Sequence, residues 1–360
     1  MNGQRSEKQR TPAWGRVLLV SVVALLVAGT GVVLIPRDSA NPAPVPFSET
    51  ARAEALGDAL LLHESAAALA EAANRDAGTQ ALGEAVTLLT THARALVEPD
   101  GSTPAPSGPV SSSSGERTPA AKTTRASLVS DLAASGRKRL DDARKADGGI
   151  ARLLAAAGSA QLLQSGRLAT AWQLPIQSPS SVASVPEATP SSAPCPSVSP
   201  TPETMSATTD AALAAMVRSE QETVYVYQVA LKRLGDAAAA SAAKDLLVHE
   251  QLLLQAESLT RANCGDVPTR EAGYRLPAQF AQDPAASLGA LEKDSLPVLG
   301  DLIALSTGET RDWAIGSLLS ASQRTLDWGA ALPELPGLVL DADALPPMPA
   351  PSPSTTPSAR

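Results

Sequence analysis

The sequence predicts an all-α, membrane-anchored chain that carries two four-helix bundles, and three observations support this. The first is the alphabet: 44% of the 360 residues are hydrophobic but only 2% are aromatic, and most are alanine and leucine, which favour helix over sheet. The second is the charge-free run at 17–35, VLLVSVVALLVAGTGVVLI, long enough to span about 30 Å of hydrocarbon as a helix. The third is punctuation. A tract at 175–204 rich in Pro, Ser and Thr divides the chain, and helical pattern recurs four times on either side of it.

Residues 1–16 hold Arg5, Lys8, Arg10 and Arg16 against Glu7, while Arg37 and Asp38 cancel beyond the apolar run. The N-terminus is therefore expected in the cytoplasm, with the bulk of the chain extracytoplasmic on a single-pass anchor in the cell membrane. A cleaved signal peptide would have an apolar region of about 7 to 15 residues and an Ala-x-Ala-like site. Neither feature is present, so the anchor reads as uncleaved.

Residues 36–47 form a proline-spaced tether. A domain over 48–174 then opens at Ser48, whose Ser-Glu-Thr context suits a helix cap, and runs helical to about Asn74. A second helix from Gly78 to Glu98 stops at Pro99, and 99–122 is too polar and broken to pack. Helical pattern resumes from Thr123 to Asp147, is interrupted at Gly148-Gly149, and continues from Ile150 to Leu174. After the linker, a domain over 205–340 repeats the scheme with Thr208–Leu234, Ala237–Asn263, Asp283–Ser306 and Glu309–Leu332, the third expected to kink at Pro297. Residues 341–360 read as a free tail. Hairpin, long connection, hairpin is the pattern of a four-helix bundle with one crossover.

Each half also ends in a tryptophan shortly before Leu-Pro, Trp172 and Trp328, and each has a histidine in its second helix, His92 and His249. Duplication of one unit explains this, and so does the shared composition of alanine-rich helices.

A net charge of −8 argues against nucleic acid as a partner, because neutralising phosphates takes a basic face. Cys195 and Cys264 are the only cysteines and lie on the exported side, which makes them a disulfide pair by candidacy. No G-x-S-x-G elbow, phosphate-binding loop or dinucleotide fingerprint occurs. His63-Glu64 and His249-Glu250 lack the second histidine of a zinc-protease helix.

The candidate site lies in 208–263. Leu213, Met216, Val217, Glu220, Val224, Tyr227, Leu231 and Leu234 recur at helical spacing, and Glu220 falls inside that apolar face. In the next helix Leu246, Leu253 and Leu254 define the stripe, with His249, Glu250 and Glu257 on it or at its edge. A carboxylate on a buried face must be paired, protonated or metal-bound. Pairing of Glu220 with His249 or Arg324 is the reading preferred here. Tyr225 and Tyr227 point to different sides of their helix, and the plain reading of both, as of Trp328, is packing.

Glu220 followed by Val224, Tyr225 and Tyr227, then His249, Tyr274-Arg275-Leu276-Pro277, Leu291-Glu292, and Trp328 followed by Leu335-Pro336-Gly337-Leu338, resemble in order and spacing the actinobacterial ferritin-like family DUF4439. The resemblance covers about 208–340 and implies a ferritin-like bundle with no known activity. The chain departs from the family at Gln221 and Gln228, and after His249. A di-iron bundle needs a carboxylate from each of two helices and Glu-x-x-His from the other two. Glu220, Glu250 and Glu292 could supply three carboxylates, but the last helix offers no histidine and no central carboxylate. No metal or other cofactor is therefore expected. The function that follows is a non-catalytic binding or interaction module acting on an envelope protein or small ligand, in a chain that also contacts the membrane and could form a homodimer. A carboxylate-bridged metal oxidoreductase or metal store, and a structural envelope spacer, are the alternatives.

Overall fold

The computed structural model describes residues 44–72, 78–98, 123–175, 207–276 and 279–349. The anchor at 17–35, most of the tether, the tracts at 99–122 and 176–206 with Cys195, and residues 350–360 lie outside the described residues. The first part of the expected free tail, 341–349, is described and is held by Arg94, which donates to the carbonyls of Ala342, Leu345 and Pro346. Among the described residues the chain is all-α, without strands, and no helix is long and apolar enough to cross a membrane. The helices are α1 (Phe47–Ala72), α2 (Thr79–Ala95), α3 (Arg125–Ala143), α4 (Gly148–Ala171), α5 (Thr209–Ala230), α6 (Asp236–Ala262), α7 (Pro284–Leu305) and α8 (Gly308–Asp327).

Local chemistry sets most of these boundaries. Thr124 and Ser127 form a reciprocal capping box at α3, Thr208 accepts from the Ala211 amide at α5, and Asp283 caps α7 just ahead of Pro284. Two expectations need correction. Gly148 and Gly149 do not break the helix but begin it, because the first turn leaves its amides free of intrahelical bonds and tolerates glycine. Ser48 lies inside α1 and is not its cap; its hydroxyl donates to the Asp147 carboxylate (2.7 Å) and accepts from the Asp147 amide (2.7 Å). Pro297 lies within α7, which continues through it.

Side-chain contacts fix the helix directions. Ser48 and Arg52 tie the start of α1 to Asp147, just before α4, and to the Leu96 carbonyl, just past α2. At the opposite end, Gly78 before α2 sits on the Trp172 indole, and the Arg125 guanidinium at the start of α3 lies 5.4 Å from the same ring. The first four helices therefore run up, down, down, up. In the second four, Thr209 of α5 donates to the Leu305 carbonyl ending α7, Asn263 beyond α6 reaches Thr310 of α8, and Gly289 of α7 packs on Trp328 beyond α8. The path is the same, and in both quartets the second helix ends and the third begins at opposite ends of the bundle. Trp172 and Trp328 both cap a last helix and are followed by a left-handed residue, Gln173 or Gly329, that closes the turn with paired backbone bonds.

The stretches 48–174 and 205–340 meet directly, because α4 packs on α7 and α8. This explains the composition of α4, whose sequence LLAAAGSAQLL is small or apolar on every side: sixteen of its 24 residues are buried, some against its own quartet and some against the other. Gly136 of α3 and Gly158 of α4 let those two backbones touch. Arg311 donates to the Ala146 carbonyl (2.6 Å) and Arg152 bonds both Asp301 and the Gly337 carbonyl (2.8 Å), so buried or half-buried arginines bind the quartets together.

The Leu335-Pro336-Gly337-Leu338 segment closes this seam. Gly337 has φ +89° and its carbonyl lies against Gly300 of α7, where a Cβ would overlap it. The nearest atoms are backbone, which cannot swing aside as a flexible side chain would. Gly300→Ala is expected to cost about 2 kcal/mol through overpacking, read as a lowered urea midpoint. An unchanged midpoint would mean that the loop is not held against α7.

Candidate functional site

The polar centre of the second quartet takes one charged side chain from each of its four helices: Glu220 from α5, His249 from α6, Glu292 from α7 and Arg324 from α8. All are at least 94% buried. His249 Nδ1 lies 2.8 Å from Glu220 Oε2 and Nε2 lies 2.7 Å from Glu292 Oε1. Carboxylates can only accept, so both ring nitrogens donate and the ring is an imidazolium. Burial opposes that charge, but Glu220 and Glu292 outweigh it and push the His249 pKa up to about 9.

Glu292 is the hub. It accepts from His249, from the Tyr227 hydroxyl (2.6 Å) and from Arg324 Nε, which is 3.1 Å from both carboxylate oxygens. Burial would raise its pKa, yet Arg324, His249 and Tyr227 together bring it down to about 2. The Arg324 Nη1 group donates to Ser320 (3.0 Å), one turn back on α8. Tyr227 is held as the neutral phenol, first by burial and then by the Glu292 charge. Two carboxylates and two cations thus balance within one dry space, linked by hydrogen bonds in a chain from Glu220 through His249 and Glu292 to Arg324. At its rim Trp328 donates to Asp245 (2.9 Å) and presents its edge to the Tyr227 ring, with centroids 6.2 Å apart.

Glu220, His249, Glu292 and Arg324 are brought together, with Tyr227 and Trp328 beside them. Glu250 is not. It is half-exposed on α6 and makes no hydrogen bond or ion pair among the described residues, because one residue beyond His249 is about 100° further around the helix. The same phase places Leu252, Leu253 and Ala256 inward and leaves Leu254 64% exposed, so Leu254 does not belong to the core stripe. Tyr225 lies outside the centre, its ring tilted against that of Tyr274 with centroids 5.6 Å apart, and the Tyr274 hydroxyl reaches Gln221. Cys264 is disulfide-bonded and stands with φ +62° just after α6; Cys195, the other cysteine of the chain, is outside the described residues.

Asp245 and the Tyr227 hydroxyl are the parts that sequence reasoning missed. A signal existed: Asp245 lies four residues before His249, one turn earlier on the same helix face. The first quartet differs. Its buried His92 donates from Nε2 to the Glu334 carbonyl (2.7 Å) and faces Gln161 at 3.4 Å, and burial pulls its pKa down to about 4, so it is neutral. Four residues before Trp172 stands buried Leu168, where Arg324 stands four before Trp328.

The donor set fits a di-iron centre poorly. Glu220, Glu292 and a single histidine are present, but the fourth helix contributes a guanidinium where the metal chemistry needs a carboxylate or imidazole, and any cation would lie beside Arg324. Both nitrogens of His249 are also engaged by carboxylates.

Residues 212–340 match the family model described as a domain of unknown function, DUF4439, and every residue of the charged centre lies inside that stretch. No curated protein and no solved structure matches the chain.

Proposed function

We propose that the chain is a membrane-anchored, extracytoplasmic binding module built of two four-helix bundles, the C-terminal one ferritin-like, whose charged centre is architectural and not catalytic. The observation that carries this reading is the buried ion-pair chain that runs from Glu220 through His249 and Glu292 to Arg324. Arg324 and protonated His249 occupy, in charge and position, the role that bound cations play in carboxylate bundles. Buried ionic groups of this kind serve best to specify one packing register. The helix path itself does not require them, since the first quartet follows the same path with Leu168 and a neutral His92. A single-pass anchor at 17–35 places the module at the cell envelope, where its partner is another envelope protein or a small ligand.

Elemental analysis of the full chain, purified without chelator, tests the centre. The expected result is well below one metal ion per chain in wild type. Stoichiometric iron, manganese or zinc, lost in both Glu220→Ala and Glu292→Ala, would instead establish a metal oxidoreductase or store.

A further inference from the structure

A cleft of about 1170 Å³ lies between the quartets, walled by α2 and α4 on one side and by α8 with residues 329–334 on the other. Its floor is apolar: Leu88, Leu162, Leu163 and Leu319 belong to the core yet keep 7–9% of their surface open, and they open onto this cleft. The size suits a small molecule better than a helix or a second chain.

Two further observations point to an occupant. Gly83 in α2 and Gly166 in α4 both line the cleft in mid-helix, and a Cβ built on either meets nothing within 4 Å. Glycine there weakens a helix relative to alanine and no protein neighbour requires it. The second observation is charge. Arg167 at the mouth is already held by Glu84 (2.5 Å), whereas the carboxylates of Asp327 and Glu334 have no basic partner among the described residues; Asp327 accepts only from Gln323 (2.7 Å). The rim is therefore left negative over an apolar floor.

We infer that this cleft binds a small hydrophobic cation. The inference rests on the reading of the chain as a binding module and names its ligand class. Burial of the apolar body against the four leucines supplies affinity, and Asp327 and Glu334 select the sign of the charge. The room at Gly83 and Gly166 accommodates the ligand's width.

Tetraphenylphosphonium and tetraphenylborate, equal in shape and opposite in charge, are suitable probes for titration calorimetry of the full chain. Wild type is expected to bind the cation saturably and at least roughly ten-fold more tightly than the anion. Gly83→Leu and Gly166→Leu should each weaken the cation by roughly ten-fold or more by filling the cleft, while melting no lower than wild type, so lost binding cannot be ascribed to unfolding. Asp327→Asn combined with Glu334→Gln should erase the preference for the cation. Absence of saturable binding, an anion preference, or full cation affinity in the leucine variants would each overturn the inference. Stoichiometric metal in the centre with cation binding intact would overturn only the reading of the charged centre.

Discussion

Glu292→Ala is expected to destabilise the chain by about 4 kcal/mol, because it strands buried Arg324 and removes one of the two carboxylates that hold buried His249. Arg324 loses both of its carboxylate contacts, His249 keeps only Glu220, and the Tyr227 hydroxyl is left without an acceptor. The melting temperature should fall by about 10 °C. Glu220→Ala removes one partner of His249 and leaves the hub in place, so about 2 kcal/mol is expected. Glu250→Ala should change stability by less than about 0.5 kcal/mol, since that side chain is half-exposed and unengaged. Adding Arg324→Leu to Glu292→Ala should recover part of the loss, as it removes one uncompensated charge and installs the residue type found at Leu168. Thermal and urea melts of the four variants decide the matter. Glu292→Ala within about 1 kcal/mol of wild type would mean that the centre is hydrated and the carboxylate is not holding it together.

Stability should also peak close to pH 6.5 and fall on both sides. His249 is raised from 6.5 to about 9 in the fold, so its contribution is fully present below pH 6.5 and is lost as pH climbs through 9. His92 is lowered from 6.5 to about 4; the fold favours its neutral form, and that contribution is present above 6.5 and lost as pH drops to 4. Glu292, lowered from 4.5 to about 2, adds a second acid stage below 4.5. Each stage is on the order of 3 kcal/mol, and the His249 and Glu292 stages share one hydrogen bond and so do not simply add. Urea midpoints across pH 4 to 9 should trace this dome, and His92→Gln, which can still donate to the Glu334 carbonyl, should flatten only the stage between 6.5 and 4. Stability that rises from pH 7 to 9 would show that His249 is not held as the cation.

The helices were legible because their causes are local. Thr124, Thr208 and Asp283 cap where a short polar side chain can reach a free amide, and the apolar spacing from Leu213 to Tyr227 placed Glu220 on a buried face within one helix. The same reasoning misplaced Ser48 and Gly148, whose roles depend on a helix a hundred residues away and on tolerance at a first turn. It placed Glu250 beside His249 because the Leu246, Leu253 and Leu254 set leaves the phase of α6 ambiguous by about one residue, and only packing against α5 resolves it.

By itself, the sequence determined the all-α class and the eight helical segments of the described residues, and the presence of a carboxylate that had to find a partner. Only the tertiary structure decided which partner. Glu220 alone could not select between His249 and Arg324, since both lie on distant helices and both are cations. The choice follows from Glu292, which takes Arg324 through Nε and leaves His249 to bridge the two glutamates. The seam between the quartets was equally out of reach. A helix as uniformly small and apolar as α4 states that it is buried, but not against what, because burial is a property of a surface and its complement lies on α7 and α8.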